Sequence, residues 1–158
     1  MIVCNASPLI ALANLNMLSL LDQIYVEWCV PGQVALECIV DQKPFAELLK
    51  KFISGKSFRI ENLPRVEALS LIVDKGEAEV IALAEEKQAP RVLMDDAKGR
   101  RLAKARGLEV VGTIGTLLRG KKMGIVPSVK QALEKLQESG IRVSAELISE
   151  ALKLSNEA

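Results

Sequence analysis

Short apolar runs and longer segments with helical spacing alternate along this chain. Four runs are rich in β-branched and large apolar residues, a composition that favours strands, and they lie at residues 1–4, 24–30, 91–94 and 108–113. The run at 58–63 is a further strand candidate. Apolar residues recur three or four positions apart in the segments between the runs, which predicts helices at residues 5–15, 32–40, 44–56, 74–87, 98–107, 128–140 and 144–155.

Capping residues mark the expected helix boundaries. Ser7 is placed to cap the first helix, with Pro8 at the first helical position. Asp74 and Glu77 have the D-x-x-E spacing of a capping box and precede an apolar helical stripe. Gly107 is the expected end of the helix that begins near residue 98.

The alternation of strands and helices predicts the architecture. Strand-helix-strand units fold with right-handed crossovers into parallel sheets that are covered by helices on both faces. We therefore expect a three-layer α/β/α sandwich with a mainly parallel central sheet. The chain contains no internal repeat, low-complexity tract or linker-like segment, so residues 1–158 are expected to form one domain.

The amino-acid composition limits the kinds of catalytic and binding site that the chain can form. Hydrophobic residues make up 49% and the formal net charge is +1, so only a local basic patch would favour nucleic acid. Histidine is absent, which removes the usual general base and every imidazole metal ligand. The three cysteines are far apart in apolar surroundings, and no run approaches the roughly 20 apolar residues of a membrane span. We expect a cytoplasmic protein without a membrane segment, whose chemistry uses carboxylates, hydroxyls, thiols or lysine.

Polar residues follow the predicted strands at the points where ligands bind to parallel sheets. Such sheets bind ligands beyond the carboxyl ends of their strands. The residues expected at this edge are Asn5, Ser7, Asp95, Asp96 and Thr113. Asn5 and Ser7 also suit a turn and a helix cap, and one of the two aspartates also suits an N-cap with the other as a bystander.

Three glutamates add carboxylates from helices. Glu37 stands in an otherwise apolar helix, where a carboxylate is seldom placed for solubility, although a narrow wet face would also accommodate it. Glu77 and Glu79 lie near the start of the capped helix. Both also have structural explanations, since Glu77 completes the capping box and Glu79 suits the helix dipole.

In their order along the chain, four segments resemble the PIN-domain nucleases, and in particular the nucleic-acid-binding relatives of VapC-type toxins. The segments are VCNASPLIALANL, VPGQVALECIV, KGEAEVIALA and VLMDDAKGRRLAKARGLEVVGTIGTL. The resemblance implies a carboxylate cluster that binds one or two Mg²⁺ or Mn²⁺ ions and activates water to cut single-stranded RNA. It places the four acidic positions at Asn5 (with Ser7 as its hydroxyl neighbour), at Glu37, at Glu77 or Glu79, and at Asp95 or Asp96, with Thr113 as a supporting neighbour.

The physical chemistry of the residues agrees with a divalent ion. Mg²⁺ prefers oxygen ligands and needs neither histidine nor cysteine. Two adjacent carboxylates such as Asp95 and Asp96 repel each other, and a cation would offset that repulsion. The helix after them carries basic residues suited to a phosphate backbone, although a solvated face is the usual role of such a run. These residues are Lys98, Arg100, Arg101, Lys104 and Arg106.

Asn5 departs from the family pattern because an amide brings no charge to the site. The leading hypothesis is a metal-dependent endoribonuclease that acts as a toxin with a small antitoxin protein. The alternative is a degenerate PIN domain that binds RNA or a protein partner without cutting. A signalling domain with a phosphoacceptor aspartate is a third hypothesis, and it fits poorly because its acidic pair would follow the first strand. The C-terminal helices at 128–155 suggest a partner surface, for a homodimer or the antitoxin.

Overall fold

A computed structural model describes residues 1–40 and 44–158. Within these residues the strands are β1 (Ile2–Cys4), β2 (Trp28–Pro31), β3 (Ser57–Phe58), β4 (Arg91–Leu93) and β5 (Glu109–Val111). The helices are α1 (Ala6–Asn14), α2 (Leu20–Ile24), α3 (Gly32–Cys38), α4 (Ala46–Phe52), α5 (Leu63–Leu69), α6 (Lys75–Glu86), α7 (Ala97–Ala105), α8 (Thr113–Lys122), α9 (Val129–Glu138) and α10 (Ala145–Leu154).

The strands form one five-stranded sheet in the order β3-β2-β1-β4-β5, and every pairing is parallel. The central strand β1 is buried along its whole length, as expected for a parallel sheet covered on both faces. Helices flank the sheet, with α6 packed on β1, β2 and β4. The prediction of an α/β sandwich with a parallel central sheet is confirmed.

The strand order creates a crevice at the carboxyl edge of the sheet. The chain passes from β1 to β2 on one side and later returns to place β4 on the other side of β1. Ligands of open α/β sheets bind where the strand order reverses in this way. The crevice therefore lies beyond the carboxyl ends of β1 and β4, where Asn5 and Asp95 follow the strands.

The capping box predicted for α6 is present. The Asp74 side chain accepts a hydrogen bond from the Glu77 backbone N–H at 2.8 Å, and the Glu77 carboxylate accepts one from the Asp74 backbone N–H at 3.3 Å. Gly107 follows the end of α7 with φ of +82°, a conformation that favours glycine. These boundaries agree with the sequence prediction.

The start of α1 differs from the prediction. The helix begins at Ala6, so Asn5 holds the N-cap position and Ser7 lies inside the first turn, where it does not cap the helix. The Asn5 backbone N–H donates to the Leu93 carbonyl at 2.9 Å. This bond extends the sheet pairing by one residue and leaves Asn5 in extended conformation at the point where the helix begins.

Two further segments also differ. Residues 20–24 form α2, and β2 begins only at Trp28, whose Nε1 donates to the Asp22 carboxylate at 2.8 Å. The strand candidate at 58–63 is limited to Ser57–Phe58. Asn62 instead caps α5 by accepting a hydrogen bond from the Arg65 backbone N–H, with proline in the first turn.

The C-terminal helices α9 and α10 pack on α8 and on each other, and α9 also contacts α1. The side chains of Ser128 and Ser144 cap them. None of the helices formed by residues 1–40 and 44–158 is long and apolar enough to span a membrane.

Candidate functional site at the carboxyl edge of the sheet

The site is assembled from the ends of two adjacent central strands and the starts of two helices. Asn5 follows β1, and Asp95 and Asp96 follow β4. Glu77 comes from the first turn of α6, which packs across both strands. The fold therefore gathers residues that are far apart in sequence at the crevice.

Asn5 is buried, with 7% of its surface exposed. Its side chain makes no capping hydrogen bond to α1 although it occupies the N-cap position. Capping therefore does not explain an amide at this position. The place at which the family resemblance expects a carboxylate is filled by a neutral oxygen donor.

Asp95 is fixed by Thr113. The carboxylate accepts the Thr113 backbone N–H at 2.8 Å through Oδ1 and the Thr113 hydroxyl at 2.6 Å through Oδ2. Thr113 is the first residue of α8, so the bond joins the end of β4 to the start of that helix. A carboxylate is electrostatically favourable at a helix N-terminus. Asp95 is therefore not a bystander.

Asp96 binds the start of α7 instead of Thr113. Its Oδ2 accepts the Gly99 backbone N–H at 3.0 Å and caps α7. Its carboxylate also lies near Glu77, and its negative charge helps to raise the pKa of that acid. The adjacent aspartates thus have separate donors, which lets both be accommodated next to each other in the fold.

Glu77 is the most perturbed acid of the site. It is only 6% exposed, and burial, followed by the nearby charges of Asp74 and Asp96, raises its pKa from 4.5 to about 7. Each of these causes disfavours the ionised form. A cation placed between Glu77 and Asp96 would reverse that preference.

Glu79 and Glu37 lie on the α3 side of α6. Glu79 accepts the Gln33 backbone N–H at 3.0 Å and so serves the first turn of α3. Glu37 accepts the Gln33 side-chain amide at 3.3 Å and lies against Gly76 in the first turn of α6. Of the two candidates for the third acidic position, Glu77 is the one that lies near Asp96.

Sequence reasoning missed the contributions of Gln33 and Gly76 to this region. The i, i+4 spacing of Gln33 and Glu37 on α3 is a signal for their contact. Gly76 interrupts a run of good helix formers in the first turn of α6, and such a glycine is a signal that another group packs closely against the backbone there.

The donors of the site suit a divalent ion in their chemistry. All are oxygen atoms, as Mg²⁺ and Mn²⁺ prefer. Over the two described ranges, no group of three or more histidine, cysteine, aspartate or glutamate side chains is spaced to hold a metal. Mg²⁺ is often held by only one or two carboxylates, with water and substrate phosphate completing its shell. The pair of Glu77 and Asp96 fits that arrangement.

The basic residues of α7 and its end divide into two groups. The Arg100 guanidinium donates to the Met94 carbonyl at 3.0 Å, and Arg106 pairs with Glu85, which also pairs with Arg65. Lys98, Arg101 and Lys104 are exposed. The exposed group is available to a ligand.

A cavity of about 780 Å³ adjoins the site. Its lining includes four of the sequence-predicted residues, Ser7, Asp95, Arg100 and Thr113. The remainder is mainly apolar and comes from α1, β5, α8, α10 and the segment at 141–144. The predicted residues thus form two neighbouring groups, one around Glu77 and Asp96 and one around this cavity.

Comparison with known proteins agrees with the fold. No curated protein and no solved structure matches the chain significantly. A family model described as a PIN domain matches residues 1–157, nearly the whole length of the chain. PIN domains are generally nucleases, and their nucleases generally use divalent metals. The chain therefore belongs to the PIN-domain family.

Proposed function

We propose that this protein is a divalent-metal-dependent endoribonuclease that cuts single-stranded RNA. The observation that carries the proposal is the pair formed by buried Glu77 and exposed Asp96 at the reversal point of a parallel sheet. A buried carboxyl group whose pKa is raised by a second carboxylate is a typical feature of functional sites. Membership of the PIN family supports a nuclease rather than another hydrolase.

Each residue of the site has a role in this proposal. Glu77 and Asp96 would hold the ion, and the Asn5 amide oxygen would contribute a neutral donor. When bound, the ion would polarise a phosphoryl oxygen of the substrate and lower the pKa of a water molecule. That water would take the place of the missing histidine base. Asp95 keeps its hydrogen bonds with Thr113 and so holds the start of α8 in place.

The exposed cations of α7 support RNA as the substrate. Lys98 lies in the first turn of α7, which contains no acidic residue. A cation there is electrostatically unfavourable for the helix, so helix stability does not explain it. Lys98, Arg101 and Lys104 would contact the phosphate backbone, which gives salt-dependent binding.

A second candidate function is RNA or protein binding without cleavage, and Asn5 favours it. A neutral amide in place of a carboxylate removes one negative charge from the site and weakens its attraction for a cation. The mainly apolar cavity beside Asp95 suits a protein partner better than a phosphate backbone.

We extend the proposal to a toxin whose small antitoxin protein binds across this cavity. The exposed side chains of Leu147 and Leu154 on α10, both in the cavity lining, support a protein contact there. A homodimer that uses the C-terminal helices is the other proposed assembly.

The test is cleavage of labelled single-stranded RNA with Mg²⁺, with Mn²⁺ and with EDTA. Wild type should cut only with metal, and Asp96→Asn and Glu77→Gln should each lose cleavage while they retain the fold. Glu134→Gln, on the exposed face of α9, is the matched control. If wild type leaves RNA intact under all conditions but still binds it in a salt-sensitive manner, the binding function replaces the nuclease.

A further inference from the structure

Gly76 lies in the first turn of α6, directly before Glu77, and faces Glu37 of α3. A Cβ atom at this position would lie 2.9 Å from Oε1 and 3.1 Å from Oε2 of Glu37. Both distances are shorter than ordinary van der Waals contact. Any side chain at position 76 would therefore displace the Glu37 carboxylate.

The backbone itself does not require glycine here. Gly76 is buried and helical, and it is not among the residues with positive φ. Glycine is a poor helix former because it loses more conformational freedom than alanine. The space taken by Glu37 is the reason that the geometry offers for glycine at this position.

The contact distinguishes Gly76 from the other nine glycines, all of which lie in the described part of the chain. A Cβ on Gly99 would meet the Met94 sulfur at 2.4 Å and Cδ of Glu77 at 3.3 Å, and one on Gly120 would meet Val126 at 2.6 Å. A Cβ on Gly112 would meet Arg100 and Asp95 together. At Gly76 the three nearest atoms all belong to one carboxyl group.

We infer that Gly76 is a positioning residue, whose missing side chain lets the Glu37 carboxylate approach the first turn of α6 next to Glu77. The partial positive charge of a helix N-terminus favours a carboxylate at that point. The geometry thereby brings the acid of α3 to the same helix start that carries Glu77. The consequence for metal binding rests on the proposed function, whereas the steric relationship stands without it.

The steric relationship is tested by a double-mutant cycle in which unfolding is measured by urea denaturation. Gly76→Ala should be less favourable for stability in the wild-type protein than in a Glu37→Ala background, where no carboxylate has to move. Gly32→Ala is the control, because a Cβ there meets nothing within 4 Å. If Gly76→Ala does not fold alone but folds together with Glu37→Ala, the inference is supported. An equal cost of Gly76→Ala in both backgrounds overturns it.

The consequence for the site is tested by Mn²⁺ binding, followed by electron paramagnetic resonance. Gly76→Ala should weaken Mn²⁺ binding by about tenfold to a hundredfold, the usual loss when a supporting residue of a metal site is changed. Gly76→Ala/Glu37→Asp, which shortens the acid by one methylene, should bind Mn²⁺ more tightly than Gly76→Ala.

The outcomes separate the inference from the proposed function. If wild type neither binds Mn²⁺ nor cuts RNA, the proposed function fails and the metal consequence fails with it, while the double-mutant cycle still decides the steric relationship. If wild type binds Mn²⁺ and Gly76→Ala binds it equally well, the inference alone is overturned. A double variant no better than Gly76→Ala also overturns it.

Discussion

The Asp95 carboxylate accepts two hydrogen bonds from Thr113, one from the Thr113 backbone N–H at 2.8 Å and one from the Thr113 hydroxyl at 2.6 Å. This contact fixes the start of α8 to the end of β4. Asp96 instead caps α7 and lies beside Glu77. Two adjacent acids therefore have different functions, with Asp95 in the framework and Asp96 in the candidate metal site.

The first prediction separates the two aspartates by stability. Asp95→Asn should destabilise the protein by about 1–3 kcal/mol, because an amide cannot accept both Thr113 donors. Asp96→Asn should change stability by less than about 0.5 kcal/mol, since asparagine and aspartate are similar N-caps. Urea denaturation of both variants is the measurement, and a larger cost for Asp96→Asn would contradict the assignment.

The second prediction concerns the part of the Asp95 contact that the hydroxyl supplies. Thr113→Val keeps the shape of the side chain but leaves Oδ2 of Asp95 without its closest donor. It should cost about 1–3 kcal/mol in the wild type and clearly less in the Asp95→Asn background. Thr113→Ser retains the hydroxyl and is the control. Equal costs of Thr113→Val in the two backgrounds would show that the residues act independently.

The third prediction is a pH dependence that comes from Glu77. Its pKa is 4.5 as an ordinary glutamate and about 7 in the fold, so the folded protein binds more protons than the unfolded chain between these values. The free energy of unfolding therefore decreases as pH rises from 4.5 to 7. Glu77→Gln should remove this component, since glutamine also completes a capping box.

The measurement is urea denaturation of both proteins across that pH range without divalent metal. The stability of Glu77→Gln relative to wild type should rise with pH and level off above 7. Added Mg²⁺ should stabilise wild type above pH 7 by binding the folded state and should have little effect on the variant. A constant difference between the two proteins at all pH values would mean that Glu77 is not perturbed as described.

Most helices were predictable from sequence, whereas α2, α5 and the ten-residue α8 were not. The capping box and apolar stripe of α6 act locally, so the sequence alone was sufficient for that helix. The five-residue α2 and seven-residue α5 were missed because short helices depend on tertiary packing. Asn62 and its neighbouring proline are a local signal for α5, but periodicity alone does not detect it.

The site was predictable as a set of residues but not as a set of roles. The carboxyl edge of a parallel sheet collects the residues that come directly after each strand, and this rule placed Asn5, Asp95 and Asp96 together. The choice between neighbouring acids depends on which donors tertiary folding brings to each. Thr113 reaches Asp95 from 18 positions away, and Gln33 reaches Glu79 from 46 positions away. Periodicity does not encode such distances.

The fourth prediction tests α7 as the RNA-binding helix. Replacing Lys98, Arg101 and Lys104 by alanine should weaken binding of single-stranded RNA and reduce its salt dependence. Each lost phosphate contact lowers the slope of log K against log salt by about 0.7, so three should lower it by about 2. Arg106→Ala is the matched control, because Arg106 is paired with Glu85. Fluorescence anisotropy over a salt series measures the slope, and an unchanged slope in the triple variant would exclude this helix.

The fifth prediction concerns Glu157, which joins the two C-terminal helices. Its carboxylate accepts the Ser128 hydroxyl at 2.6 Å and the Val129 backbone N–H at 2.8 Å at the start of α9, and these bonds lower its pKa from 4.5 to about 2. The folded protein therefore binds fewer protons than the unfolded chain, so this stabilisation is present above pH 4.5 and is lost as pH falls towards 2.

Glu157→Gln should be less stable than wild type near neutral pH, and the two stabilities should converge in acid. Circular dichroism melting across this range measures the difference, with Glu134→Gln as the control. A difference that persists at pH 2 would show that the Glu157 charge is not what holds α9 and α10 together.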